Sequence, residues 1–513
     1  MMADNAKRVA KNTLALYFRM IFLVLVSLYT VRVVLSVLGV EDYGLYNVVG
    51  GFVGLFSFFS GTLVNAAQRY FAISLATQDW ENLNKILSLI LGIIVVFSLV
   101  VLFVCETGGL YFVTTQMTIP ADRMMAAIVV FELSLFGFIV VMLGAPLQAI
   151  LVADENLSIY AVVSVVEGLL KLAVVYALLM FAVDKLILYA VLLFLVTLAV
   201  QGFFLWYCLE KYPQLKVRFY RDCREYREVF GYINWNVIGA IAQILKGQGV
   251  NIIINIFFGP AVNAARGIAY SISNVVLSFS QNFMKAVDPQ IMKAYALGDG
   301  DKFRFMLVIS SKLSYFLLFV VALPLMLNVS YVLELWLGIP PLQTDLFAVL
   351  VMVDALFSAL TDPLCTAVQA IGKMKVYQIV VGGASLMNLP LSYGLLLYVQ
   401  EPWLPFAVGV GISLLMGFLR MLTFRRLYPF NVHRYFTQVY IPVGIVSLLA
   451  WGISYKFWSS AVSFWQLAGN SAACVFLTCG LIFLLGLNKA ERQLVGRILP
   501  VGKIMDKLNR KGA

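Results

Sequence analysis

The chain has 513 residues, of which 62% are hydrophobic and only 12% charged, with a net charge of +11. A soluble domain carries about 25% charged residues, so this composition excludes a soluble enzyme or binding module and points to an all-α, polytopic membrane protein. The positive charge calls for no nucleic acid, because Lys and Arg gathered at one end of the membrane spans account for it.

With about 20 residues per span, the apolar pattern predicts about 14 transmembrane helices, centred near residues 25, 58, 97, 135, 170, 196, 243, 276, 316, 357, 387, 413, 446 and 475. If the N-terminus is cytoplasmic, one side collects Lys7, Arg8, Lys11, the run from Lys211 to Arg227 and the tail from Lys489 to Lys511. The other keeps Arg123, Lys185 and Lys456. The expectation is a bacterial inner-membrane protein with both termini cytoplasmic. The first apolar run has spanning length and no small-residue cleavage site, so it reads as its own insertion signal.

On the first span, Asn12, Arg19 and Thr30 fall on nearly one helical face, a polar stripe on an apolar helix. Arg19 is therefore a candidate cavity cation; snorkelling to the headgroups is the alternative. A block from Gly39 to Asp79 then recurs, without a gap, from Gly259 to Asp299. It matches at Gly39/Gly259, Phe59/Phe279, Ser60/Ser280, Ala66/Ala286, Ala76/Ala296 and Asp79/Asp299. Downstream, Gln148, Ala149 and Ile150 answer Gln369, Ala370 and Ile371, and Tyr160, Leu172 and Tyr176 answer Tyr377, Leu389 and Tyr393. Such a repeat in a membrane chain points to a transporter with a parallel pseudo-twofold and a pathway at the lobe interface.

The expected organisation is an N-terminal lobe (1–209), a basic linker (210–228), a C-terminal lobe (229–428), two further spans (429–487) and an amphipathic basic tail (488–513) suited to an anionic leaflet. Gly39, Gly44, Gly50, Gly51 and Gly54, with Gly259, Pro260 and Gly267 in the second copy, are candidate hinges or sites of close helix packing.

Charges inside spans require a partner or a function. Glu132 and Asp354 occupy corresponding depths in the fourth and tenth spans and are candidates for proton or sodium coupling; bonding a tyrosine or backbone group is the alternative. Glu167 and Lys171 lie one turn apart in the fifth span, in the favourable order for an ion pair; Lys171 is also a candidate anion ligand. In the seventh span Asn236, Gln243, Gly247 and Asn251 form a polar stripe beside Lys246, a further candidate. Arg266 and Lys285 bracket the eighth span. Arg32, Lys312 and Arg420 lie nearer span ends, where snorkelling is expected; Asp288 and Asp362 complete the acids. The cationic excess suits a pyrophosphate, which takes charge-assisted hydrogen bonds from guanidinium and ammonium groups.

The chain has one histidine, His433, no GKS or GKT phosphate loop and no HExxH. Its cysteines (Cys105, Cys208, Cys223, Cys365, Cys474 and Cys479) show no metal or disulfide spacing. No catalytic residue, metal site or cofactor is predicted.

KNTLALYFRM at Lys11 to Met20, SLYTVRVVLSVLGVEDYGLYNVVGG at Ser27 to Gly51 and NIFFGPAVNAARGIAYS at Asn255 to Ser271 resemble the bacterial polysaccharide-export flippases. These belong to the multidrug/oligosaccharidyl-lipid/polysaccharide transporter superfamily. The resemblance covers nearly the whole chain. It implies two six-helix bundles around a central cavity, with two extra helices, and a substrate such as an undecaprenyl-pyrophosphate-linked oligosaccharide for O-antigen, capsule or exopolysaccharide. It also implies membrane lipids, a polysaccharide polymerase and chain-length machinery as partners. Two rivals stand beside it. One is a multidrug/cation antiporter of the same superfamily, whose acidic site in the first span is here replaced by Arg19. The other is a polytopic glycosyltransferase or polymerase, which would place catalytic residues in long outer loops that this chain lacks.

Overall fold

The structure, a computed structural model, describes residues 2–57, 71, 74–75, 77–154, 157–181, 183–218, 241–458 and 461–492, and for residues 2–21, 157, 158, 161, 286 and 289 the backbone alone. The Arg19 side chain, Asn236, the span expected near residue 58, the linker beyond residue 218 and the tail beyond residue 492 lie outside the described residues.

The protein is an all-α, multi-pass membrane protein. Its helices are α1 (Met2–Gly54), α2 (Trp80–Thr115), α3 (Met124–Ala153), α4 (Leu157–Met180), α5 (Lys185–Lys211) and α6 (Ile241–Phe258). They continue with α7 (Pro260–Ala296), α8 (Gly300–Leu327), α9 (Val329–Leu337), α10 (Thr344–Ile371) and α11 (Met374–Leu396). The last three are α12 (Leu404–Leu427), α13 (Val432–Trp458) and α14 (Phe464–Gly486). Among the described residues, 12 helices are long and apolar enough to cross a bilayer.

Of the two other expected spans, one falls mainly outside the described residues and the other is α7. Its 37 residues are ample for a crossing. Its apolarity is low because it carries Asn263, Arg266, Ser273 and Ser280, all buried against protein; Asn263 and Arg266 donate to α6 and Ser280 bonds Ser314 of α8. Apolar side chains face outward elsewhere: Phe103 is 69% exposed, Leu448 76% and Phe476 79%.

The internal repeat is visible in the backbone. Gly39 interrupts α1 at φ 81°, ψ 173°, and Gly259 separates α6 from α7 at φ 76°, ψ −176°. A side chain there would be strained, so glycine is the residue both copies need. At the far end of the block, Gln78 and Gly298 both have positive φ, and Asp79 and Asp299 each cap the following helix, accepting from the Asn82 and Lys302 amides.

The chain divides into two compact units. The first comprises Met1–Ile268, Pro340–Thr344 and Gly382–Val408; the second comprises Ala269–Ile339, Asp345–Val381 and Gly409–Ala513. In the first, α3 packs on α1, α2 and α5, and α4 on α1 and α5, around a core that includes Val48, Val49, Cys105, Phe131, Leu135 and Leu186. In the second, α8, α13 and α14 pack on one another.

Candidate functional site

In the first unit the second half of α1 carries Gly50, Gly51 and Gly54 on one face, and this bare face opens a cavity of about 470 Å³ against α3, α5 and Gln248 of α6. Gly51 is required for the approach: a Cβ there would stand 2.6 Å from Gln248 Oε1 and 2.7 Å from Asn251 Nδ2. The polar lining consists of Tyr46, Asn47, Ser134, Thr197 and Gln248; Phe138 and Phe194 supply further rings. Tyr46 is set edge-on to Tyr189, with centroids 4.9 Å apart. Among the described residues, no charged side chain lines this cavity.

Behind the cavity, an amide network fixes α6. The Asn251 amide donates to the Asn47 carbonyl at 3.1 Å, and Asn263 donates to Asn251 at its carbonyl (2.7 Å) and its side-chain oxygen (2.8 Å). Asn255 Oδ1 accepts from the Thr118 amide at 3.0 Å. α6 contains a π turn at Leu245–Gly249, a form that recurs at functional sites. The Arg266 guanidinium, 7% exposed, donates to the Gly247 carbonyl of that turn at 2.7 Å.

Of the candidate cations whose side chains are described, none lines this cavity. Lys246 is half-buried within the π turn. Arg266 braces that turn from α7. Lys285 is exposed on α7 in the second unit. Lys171 forms an ion pair with Glu167, Nζ to Oε1 2.6 Å, with side chains 46% and 37% exposed.

The two acids at matching depths have different surroundings. Glu132 lies within hydrogen-bonding reach of the Glu106 carboxyl, which sits in a second π turn at Cys105–Gly109. Asp354 accepts from the Ser413 hydroxyl.

Two residues expected to snorkel are instead buried in ion pairs within the second unit. Arg420 is 7% exposed and donates to Asp362 at 2.8 Å and to the Thr361 hydroxyl at 2.9 Å. Lys312 is 2% exposed and pairs with Glu491 at 2.7 Å while donating to the Gly486 carbonyl at 3.1 Å. A charge near a helix end snorkels only when no closer counter-ion is offered, and here the chain supplies one from a distant segment. Near these pairs, Asp288 accepts from the Thr366 hydroxyl at 2.8 Å.

Sequence reading also missed a cluster at one end of the first unit. Arg123 forks onto Asp42, just after the Gly39 break, and pairs with Asp184 at 2.7 Å. Asp184 in turn caps α5, accepting from the Leu186 and Ile187 amides. Burial opposes its ionisation, but the Arg123 hydrogen bonds outweigh that and hold the Asp184 carboxyl below the usual carboxylate range. The available signal was the Asp placed before an apolar run at Asp184.

No protein-family profile matches the chain, and no curated protein does so either. Solved structures do. Lipid II flippase MurJ, in an inward closed conformation, superposes with a TM-score of 0.62 at 11% identity, covering 92% of this chain and 99% of that one. A multidrug resistance MATE family transporter of the MOP superfamily, inward-facing, gives 0.62 at 15% identity, covering 78% and 94%. A MOP superfamily transporter from Pyrococcus furiosus, described as having a binding pocket of reverse polarity, gives 0.55 at 15% identity, covering 81% and 95%. The chain thus has the fold shared by these flippases and transporters.

Proposed function

We propose that the protein is a flippase that moves an undecaprenyl-pyrophosphate-linked oligosaccharide across the bacterial cytoplasmic membrane for cell-surface polysaccharide assembly. The observation that carries this reading is the cavity of the first unit, whose lining offers amides, hydroxyls and aromatic rings and, among the described residues, no carboxylate. Neutral donors and acceptors match saccharide hydroxyls, and ring faces match the C–H faces of a sugar. An exported organic cation would be better served by a carboxylate. The likeness to a lipid II flippase over 92% of the chain supports the lipid-linked part of the reading.

In this mechanism the lobes 1–209 and 229–428 alternate in access, with both termini cytoplasmic. Arg19, Lys246, Arg266 and Lys285 supply cationic character toward the pyrophosphate, and the polyprenyl chain stays in lipid. The π turn contains both Gln248 and Lys246 and is braced by Arg266, so it joins the sugar-facing wall to those two cations. Glu132 with Glu106, and Asp354 with Ser413, are the sites through which a proton or sodium gradient would act. A polymerase and chain-length machinery would take the product.

The test is reconstitution in proteoliposomes with a defined undecaprenyl-pyrophosphate oligosaccharide, scoring access of a membrane-impermeant glycosidase to the lipid-linked glycan. Protein-dependent exposure is expected. Efflux of organic cations without exposure of the glycan would replace this reading with a cation exporter.

A further inference from the structure

After α5 the chain runs from Pro213 to Arg218 outside any helix, tied along α2 by three hydrogen bonds. Asn84 Nδ2 donates to the Gln214 carbonyl at 2.8 Å and Asn84 Oδ1 accepts from the Lys216 amide at 2.9 Å. The Arg218 amide donates to the Ser88 hydroxyl at 2.9 Å. These anchors fall two residues apart on the segment and one turn apart on the helix, so alternate side chains point to opposite sides.

The two sides face different cavities. Gln214, Lys216 and Arg218 line a polar cavity of about 580 Å³ with Trp80 and Glu81 at the start of α2. Leu215 and Val217 line an apolar groove of about 380 Å³ with Leu87, Leu143 and Leu205 among its walls on α2, α3 and α5. Both volumes lie within the roughly 300–1,000 Å³ of ligand pockets. Two of the groove's lining positions are glycine. Gly144 leaves room for Gln201, whose Oε1 would lie 2.0 Å from a Cβ there, and Gly202 borders open space.

We infer that this segment divides one binding site in two, and that the site holds a single-chain lipid with a phosphate head, of the polyprenyl-phosphate type. The chain lies in the groove and the phosphate meets Lys216 and Arg218. Charge complementarity selects the occupant: among the described residues the polar cavity sets two cations, Lys216 and Arg218, against one carboxylate, Glu81, across the segment from the apolar groove, with a tryptophan at the polar end as membrane boundaries favour. A single chain is the occupant assigned to the groove, with its volume of about 380 Å³ and mostly aliphatic lining. The site is separate from the glycine-faced cavity and would receive the lipid-linked substrate before transfer; this role rests on the flippase reading.

The test uses the full chain in phosphatidylcholine nanodiscs, with undecaprenyl phosphate and undecaprenol as probes and native mass spectrometry to count bound lipid. Wild type is expected to retain the phosphate over the alcohol by about tenfold, the factor carried by about 1.4 kcal/mol of charge-assisted contact. Lys216→Gln with Arg218→Gln should abolish that preference and keep the alcohol. Gly202→Leu, whose Cβ enters open space at the groove lining, should lose both.

Equal retention by wild type and both variants overturns the site. Displacement of the probe by phosphatidylglycerol overturns the single-chain occupant in favour of a diacyl phospholipid. The same proteins assayed for flipping separate the two readings. Undiminished flipping in variants that have lost the lipid removes the site from the transport path and leaves the flippase intact; lipid capture by a wild type that flips nothing removes the flippase and leaves the site.

Discussion

The Asn47 side chain occupies the space above Gly267, with its Cγ and Oδ1 3.1 Å from where a Cβ would stand. The offset that carries Gly39 onto Gly259 carries Asn47 onto Gly267, so the two copies of the repeated block meet at equivalent positions. Three residues earlier the approach is tighter still: a Cβ on Gly44 would lie 1.8 Å from the Pro260 carbonyl oxygen. Because that atom is backbone at the start of α7, it cannot rotate away. Gly44→Ala is expected to cost about 3 kcal/mol or more, the upper end for overpacking, and to lower the thermal stability of the detergent-purified protein. Gly54→Ala, with its nearest neighbour 3.8 Å away at the Gln248 amide, should be tolerated and serves as the control. Equal stability of the two variants would refute the close approach.

The Lys312–Glu491 pair gives a second prediction. Both side chains are almost fully buried, at 3% and 0% exposure, and removing one partner strands the other charge at a cost of about 3–5 kcal/mol. Lys312→Met or Glu491→Leu alone should reduce membrane abundance and thermal stability sharply, while Lys312→Met with Glu491→Leu recovers most of the loss. Abundance by immunoblot in all four members of the cycle decides it; additive losses would exclude a direct pair.

Acid sensitivity supplies a third. Asp184 is held below the usual carboxylate range by Arg123, against the opposing effect of burial. Asp154 is likewise lowered, again against burial, by hydrogen bonds from Lys211 at 2.7 Å and Tyr212 at 2.6 Å. A carboxylate with a depressed folded pKa contributes stability that is fully present above its unfolded value, near 3.9. That contribution is lost as pH falls through the folded value. Melting temperature should therefore be flat in these terms from neutrality down to about pH 4–5 and fall below that. Asp184→Asn and Asp154→Asn should each flatten the acid limb and lower the plateau at neutral pH. An unchanged acid limb in both variants would assign it to other carboxylates.

The sequence carried the class, most of the spans and the repeat, because lipid exposure demands apolar runs and because Gly39, Gly259, Asp79 and Asp299 are fixed by local backbone needs. It was least legible where partners come from far along the chain. Lys312 and Arg420 looked like snorkelling charges because nothing near them in sequence shows that Glu491 and Asp362 close over them. α7 was expected as a span centred near residue 276, and its buried polar side chains keep it below the apolarity of the other spans. The candidate cavity was not legible: Gly50, Gly51 and Gly54 read as hinges or close-packing positions instead of a cavity wall, and attention to cations passed over Ser134 and Thr197, whose value lies in being neutral.

The last prediction separates a structural role for Lys171 from a direct one. Its ammonium meets Glu167 at 2.6 Å, and both side chains are more than a third exposed. The coupling would be only about 0.3–0.5 kcal/mol in water. In lipid a stranded charge costs roughly 2.5–3.5 kcal/mol on insertion scales, so each single neutral substitution should lower the amount of inserted protein. Lys171 is absent from the lining of the glycine-faced cavity. The double change Glu167→Gln with Lys171→Met is therefore expected to restore membrane level and glycan flipping together. A double variant that recovers its level yet stays inactive would return Lys171 to the list of pyrophosphate ligands, and normal levels in both single variants would mean that the pair contributes nothing to insertion.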